Sequence, residues 1–151
     1  MKKATFLLAM LLLLALGFTA VACGSSTDES ITVTDPWGRT SPAAAENGAF
    51  YMMLTNNGSE DDTLLAASTD ACGMVELHEM YDKGEGVMGM RPVEGGSIPV
   101  PAGGSAELKP GGLHVMCMMK QVDFEAGTEI PLTLTFENAG ELEVTAEIRD
   151  N

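Results

Sequence analysis

The chain has 151 residues, room for one domain, with 22 acidic residues against 8 basic ones and a formal net charge of -14. So acidic a chain argues against nucleic acid and against an anionic membrane surface as partners. It carries no nucleophile motif, and neither of its two histidines has an acid or base partner at a suggestive spacing, so a hydrolytic enzyme is not expected.

At the N-terminus, Lys2 and Lys3 precede an apolar run from Phe6 to about Leu16, followed by "GFTAVAC". This is the layout of a secretory signal: a positive start, a short apolar stretch and small residues before Cys23. The run is short for a membrane helix. Cys23, after a small residue and before "GSSTDES", resembles the lipobox of bacterial lipoproteins. That resemblance implies cleavage before Cys23 and lipid on its sulfur. Plain secretion with cleavage nearby is the alternative. The expected layout is a lipoprotein-type signal peptide over 1–22, a lipidated tether over 23–30 and one folded domain over 31–151. The location is then extracytoplasmic, in the periplasm or on the outer face of the cell membrane, with membrane contact only through the lipid. Without Lys2 and Lys3 the mature chain keeps 6 basic and 22 acidic residues, a charge of about -16.

From Ile31 the hydrophobic pattern has period two. "ITVT", "AFYMMLT", "VELHEMY", "SAELK", "LHVMCMM", "IPLTLTF" and "ELEVTAEIR" are expected strands. The last is clearest, with Leu142, Val144, Ala146 and Ile148 alternating against charged and polar residues. "TNNGSEDD", "DKGEG", "PVEGGSIPVPAGG", "KPGG" and "ENAGE" are expected turns. No segment has helical spacing. Seven or more short strands with 17 glycines predict an all-β antiparallel sandwich.

Seven methionines and both histidines fall between residues 74 and 119. On a regular strand, His114, Met116 and Met118 share one face, while Val115, Cys117 and Met119 share the other. Likewise Met74, Glu76, His78 and Met80 share a face, with Val75 and Leu77 turned inward. In "VMGMR", Met88 and Met90 share a face, and a hairpin through "DKGEG" returns them beside His78. Three strand segments thus offer His78, Met88 or Met90, and His114 with Met116. Two imidazoles and two thioethers are soft and uncharged, a set suited to Cu(I); zinc gains little from thioether. Thioethers need no deprotonation and form no disulfides, which suits an oxidising compartment. Methionine is also a common core filler, yet a core has no use for histidines alternating with methionines. Met74, Met80 and Met118 either line this site, offer a weaker one or simply pack.

"HEMYDKGEGVMGMRPVEGG" followed by "KPGGLHVMCMM" resembles the periplasmic copper chaperone family PCuAC, marked by a histidine, a methionine about a dozen residues later and a distal His-x-Met. "ITVTDPWGRTSPAAAENGAFYMMLTNNGSEDDTLLAAS" is similar to that family's N-terminal portion. The resemblance spans roughly residues 31–149. It implies a cupredoxin-like Greek-key sandwich that binds Cu(I) and delivers it toward the CuA centre of cytochrome c oxidase, or to another copper chaperone. It also implies His78, Met90, His114 and Met116 as ligands, with Met88, Met80 and Met118 as alternates.

The resemblance does not account for Cys117. Regular alternation puts it in the core; a disulfide to Cys72 is the second reading and ligation the last. Glu76, Glu79 and Asp82 are expected to be solvated. Trp37 is expected in the core or as a shield over the sheet, and Arg39 and Arg91 in ion pairs. Copper sequestration is an alternative function. A blue-copper electron carrier is a weaker one, because its cysteine thiolate would have to be Cys117.

Overall fold

The computed structural model describes residues 30–150. The expected signal peptide and the lipidated Cys23 lie outside them. Ten strands follow in chain order: β1 (Ile31–Arg39), β2 (Gly48–Asn56), β3 (Asp62–Ser68), β4 (Cys72–Asp82), β5 (Met88–Pro92), β6 (Ile98–Val100), β7 (Ser105–Leu108), β8 (His114–Lys120), β9 (Glu129–Phe136) and β10 (Glu141–Arg149). Among the described residues there is one 3-10 turn, Glu94–Gly96, and no α-helix.

The strands join in the order β5-β4-β8-β2-β1-β10-β9-β3-β6, with β7 also paired to β2. Every pairing is antiparallel except β1 with β10. The sheet folds over on itself, so that β3 packs against β4 without pairing to it. Phe50, Leu54, Leu77 and Val115 from one half meet Leu64, Ile130, Leu132, Leu134 and Ile148 from the other in a single buried cluster. Alternation explains the faces. In β9, Ile130, Leu132, Leu134 and Phe136 are buried, while Glu129 and Pro131 are exposed and Thr133 and Thr135 half-buried between them. In β10, Ala146 and Ile148 are buried, and Leu142 and Val144 pack at the margin.

Two strands were not among those expected. β3 begins inside "TNNGSEDD", and β6 lies within "PVEGGSIPVPAGG". β3 hides its period because its pairing with β9 shifts between Leu64 and Ala66, leaving Leu65 exposed. Asp62, which composition assigns to a solvated turn, is 3% exposed. Its carboxylate accepts the backbone N–H groups of Thr63, Asn138 and Ala139 at 2.7, 2.9 and 3.0 Å. Those bonds offset the cost of burying the charge and tie the β9–β10 turn to β3.

Cys72 and Cys117 form a disulfide, with Cα atoms 5.5 Å apart. Cys117 faces the core as alternation requires, and Cys72, which strict alternation with Met74 and Glu76 would put on the outer face, is buried as well. Next to Cys72 the ladder is irregular in backbone: Met119, against Gly73, has a left-handed φ of 54°. A crosslink closing a loop of 45 residues contributes about 4 kcal/mol by the chain-entropy estimate. The Cys72→Ala/Cys117→Ala double variant is expected to melt about 10–15 °C lower; an unchanged Tm in calorimetry would remove the disulfide from any structural role.

Candidate metal centre

β4 and β8 pair so that His78 lies directly opposite His114, Glu76 opposite Met116 and Met74 opposite Met118. Cross-strand partners share a face, with Cβ atoms about 4.5–5.5 Å apart. Leu77, Val115 and Cys117 occupy the other face and enter the core. The histidines therefore stand side by side on the outside of the sheet, their ring centroids 5.8 Å apart and their planes inclined by 66°.

They are nevertheless only 8% and 4% exposed. An aromatic row extends from them across the sheet. The Tyr51 ring lies 6.3 Å from His114, and Trp37 lies 4.6 Å from Tyr51. Arg149 sits over Trp37 at 5.8 Å. Trp37 thus shields the outer face, one of its two expected places. A cavity of about 490 Å³ opens beside the row, lined among others by His114, Met116, Met80, Met90, Tyr51 and Arg39.

The methionines are placed by the same ladders. Met116 is two residues along β8 from His114. Met90 lies opposite Met80 on the β4–β5 hairpin, one step diagonally from His78, which faces Pro92. Met88 lies opposite Asp82 near the hairpin turn and does not line the cavity. Met90 is 51% exposed, so the centre is closed at its histidines and open at this thioether. Met118 lies one pair beyond Met116, opposite Met74, and away from the histidines.

Hydrogen bonds fix which nitrogen of each ring carries its proton. His114 Nδ1 is 3.0 Å from the carbonyl oxygen of Gly112. A carbonyl can only accept, so Nδ1 donates and Nε2 keeps its lone pair. The same carbonyl accepts the backbone N–H of Met80 at 3.2 Å. His78 Nε2 is 2.9 Å from Glu76 Oε2, and an ionised carboxylate also only accepts. His78 Nδ1 is buried without any hydrogen-bond partner, and in the neutral ring with Nε2 donating it carries the lone pair. An orphaned buried acceptor is costly and is what a site awaiting a cation presents. Burial holds His114 below the ordinary histidine pKa of 6.5; the Gly112 carbonyl opposes this shift, and neighbouring His78 adds to it. Its imidazole is therefore neutral at pH 7.

Three features depart from the sequence expectations. Glu76, expected to be solvated, orients His78; its i, i+2 placement on the histidine's face was the signal. Tyr51 and the Gly112 carbonyl are parts of the centre that spacing did not single out. Cys117 is sealed in its disulfide and offers no thiolate, so the blue-copper alternative lacks its essential ligand. Arg91 forms the expected ion pair, with Glu79 at 2.9 Å, and stacks on Tyr81. Among the described residues no three His, Cys, Asp or Glu side chains form a cluster able to hold a metal ion.

Residues 31–148 match the family model described as "Putative lipoprotein LpqE-like". "Putative lipoprotein Lxx21020" of Leifsonia xyli subsp. xyli (strain CTCB07) is 32% identical over 87 residues, 58% of this chain and 51% of that protein, so the match spans about half the length of this curated relative. The apo PCuAC domain from PmoF1 superposes with a TM-score of 0.67 at 26% identity, over 81% of this chain and 95% of that one. The solution structure of CuI-DR1885 from Deinococcus radiodurans gives 0.63 at 26% identity, over 87% and 86%. The copper-bound PCuAC domain from PmoF2, at 22% identity and 0.67, shares the fold. The chain belongs to the LpqE-like family, and its described residues form a β-sandwich of the PCuAC type.

Proposed function

We propose that this protein is an extracytoplasmic Cu(I) carrier, held at the membrane by lipid on Cys23 after removal of residues 1–22. The observation that carries the proposal is the facing pair His78 and His114, each with one unprotonated nitrogen and with thioethers within reach. Two imidazoles on one metal, each bonded at about 2.0 Å, place their centroids roughly 5–6 Å apart; the observed spacing is 5.8 Å. The relative from Deinococcus radiodurans whose structure is of a Cu(I) form supports the identity of the ion. The family description supports the lipid anchor.

In this proposal His78, His114, Met116 and Met90 hold the ion, with Met80 as the neighbouring alternate to Met90. All are neutral, so a monovalent soft cation keeps its charge uncompensated and is bound less tightly than by thiolates. Exposed Met90 is the ligand an acceptor displaces first, after which the buried imidazoles release the ion. The acceptor is the CuA subunit of cytochrome c oxidase or another copper chaperone. Sequestration is the second reading, and mixing the loaded carrier with an apo-acceptor separates the two.

In competition with a chromophoric Cu(I) chelator under reductant, the chain is expected to bind Cu(I) far more tightly than Zn(II). Equal affinities would overturn the proposal. His114→Ala is expected to weaken Cu(I) by about 100-fold or more, and Glu76→Ala by about 10–100-fold as an outer partner of a ligand. Met118→Leu is expected to leave this centre unchanged.

Protons compete with Cu(I) for the histidine lone pairs. Because His114 titrates below 6.5, its competition sets in only as pH falls under that value. Affinity is therefore expected to fall as the pH is lowered below about 6.5. A flat profile down to pH 5 would contradict ligation by histidine.

A further inference from the structure

Of the seven exposed large hydrophobic residues among those described, four are methionines: Met74, Met88, Met90 and Met119. Packing does not explain them. Met52 shows what a core methionine looks like in this protein, at 2% exposed. Met74 is 47% exposed, yet it lies directly across the β4–β8 ladder from half-buried Met118. The next pair on that face is Glu76 with Met116, and the one after it is His78 with His114. Met116 is thus a neighbour of both pairs.

We infer that Met74, Met118 and Met116 form a second soft-cation site on the outer face of β4 and β8, one step from the histidine pair and sharing Met116 with it. Directly opposed residues have Cβ atoms about 4.5–5.5 Å apart, and the diagonal Met74–Met116 pair about 7–8 Å. Three flexible torsions in each side chain span those gaps, since sulfurs at about 2.3 Å from one ion lie about 4 Å from each other. The set is sulfur only and neutral, which selects a soft monovalent ion and binds it more weakly than a set with two imidazoles. It therefore fills second.

Its use rests on the carrier reading above. An ion held by Met74, Met118 and Met116 reaches the histidines by exchanging two thioethers for two imidazoles while Met116 stays bound. No electron moves and no bond within the protein breaks. The far end of β8 becomes the loading end, and the β4–β5 hairpin with Met90 the unloading end.

The test is a titration of the full chain, labelled with 13C at its methionine methyl groups, with Ag(I), a redox-inert soft monovalent ion. The first equivalent is expected to shift the methyls of Met90 and Met116, and the second those of Met74 and Met118, with Met116 bridging the two ions through the second lone pair of its sulfur. In the Met74→Leu/Met118→Leu variant the second step is expected to vanish and the first to persist, bound ions falling from two to one. Persistence of the first step shows that the variant is folded. Met74 and Met118 signals that stay still through two equivalents, that move together with the first, or a second step that survives the double substitution, would each overturn this site. Loss of the Met90 and Met116 shifts in the unaltered chain would instead overturn the histidine centre.

Discussion

The register of β4 against β8 is the constraint on which the rest depends. It places His78 opposite His114, and every other candidate ligand follows from that pair by steps of two along a strand or one across a ladder. A slip of one residue would send the imidazoles into the core and bring Leu77 and Val115 to the surface. Hydrophobic burial resists that slip, since Leu77 is 4% exposed and Val115 is fully buried. The disulfide resists it covalently. It joins these same two strands from the core side, so the crosslink and the candidate ligands lie on opposite faces of one ladder.

The outer face bears an unusual load for a solvent-facing side of an antiparallel sheet. It holds two nearly buried imidazoles, with Tyr51 beside His114 and Trp37 beyond Tyr51. A carbonyl and a carboxylate each take one ring proton and leave the other nitrogen bare. Both partners are local: Gly112 and Glu76 are each two residues before the histidine they orient. A strand returns to the same face every second residue, so the sequence supplies Glu76 at the place where His78 needs it. Gly112 acts from the turn before β8, where Gly111 adopts a φ of 80° and lets the chain fold back toward Met80.

Much of this was legible from alternation alone, because residues of one strand face share a fate. The strands bearing His78 and His114, the inward turn of Cys117 and the exposed glutamates of β10 all obey period two. What stayed hidden depends on breaks in that period or on contacts distant in sequence. β3 is disguised by its shift at Leu65, and β6 is only three residues long inside a glycine- and proline-rich stretch. The disulfide is only the second reading from sequence because strict alternation puts Cys72 on the outer face, whereas in the fold it is buried and bonded to Cys117 near the left-handed Met119. Asp62 resembles its exposed acidic neighbours in composition. Only the folded chain brings Asn138 and Ala139, more than 70 residues away, against its carboxylate. The closure of the histidines likewise depends on Tyr51, which arrives from β2 through a pairing that no local pattern encodes.

The division between buried nitrogen and exposed sulfur bears on how a carrier can both hold and release. If imidazole lone pairs supplied all the ligation at a sealed centre, an acceptor would have to unfold part of the sheet to reach the ion. If thioethers supplied it all at the surface, the ion would exchange with any passing thiol. Here the nitrogens are fixed by hydrogen bonds and shielded by aromatic rings, while Met90 projects from β5, the edge strand of the sheet. Exchange can begin at that one thioether without disturbing the β4–β8 ladder. The hairpin beyond it turns through Gly84, Glu85 and Gly86, all with positive φ, and among the described residues no further strand pairs with its edge. The edge hairpin thus carries Met90, the candidate ligand that the proposed carrier would give up first, and the crosslinked ladder carries His78, His114 and Met116.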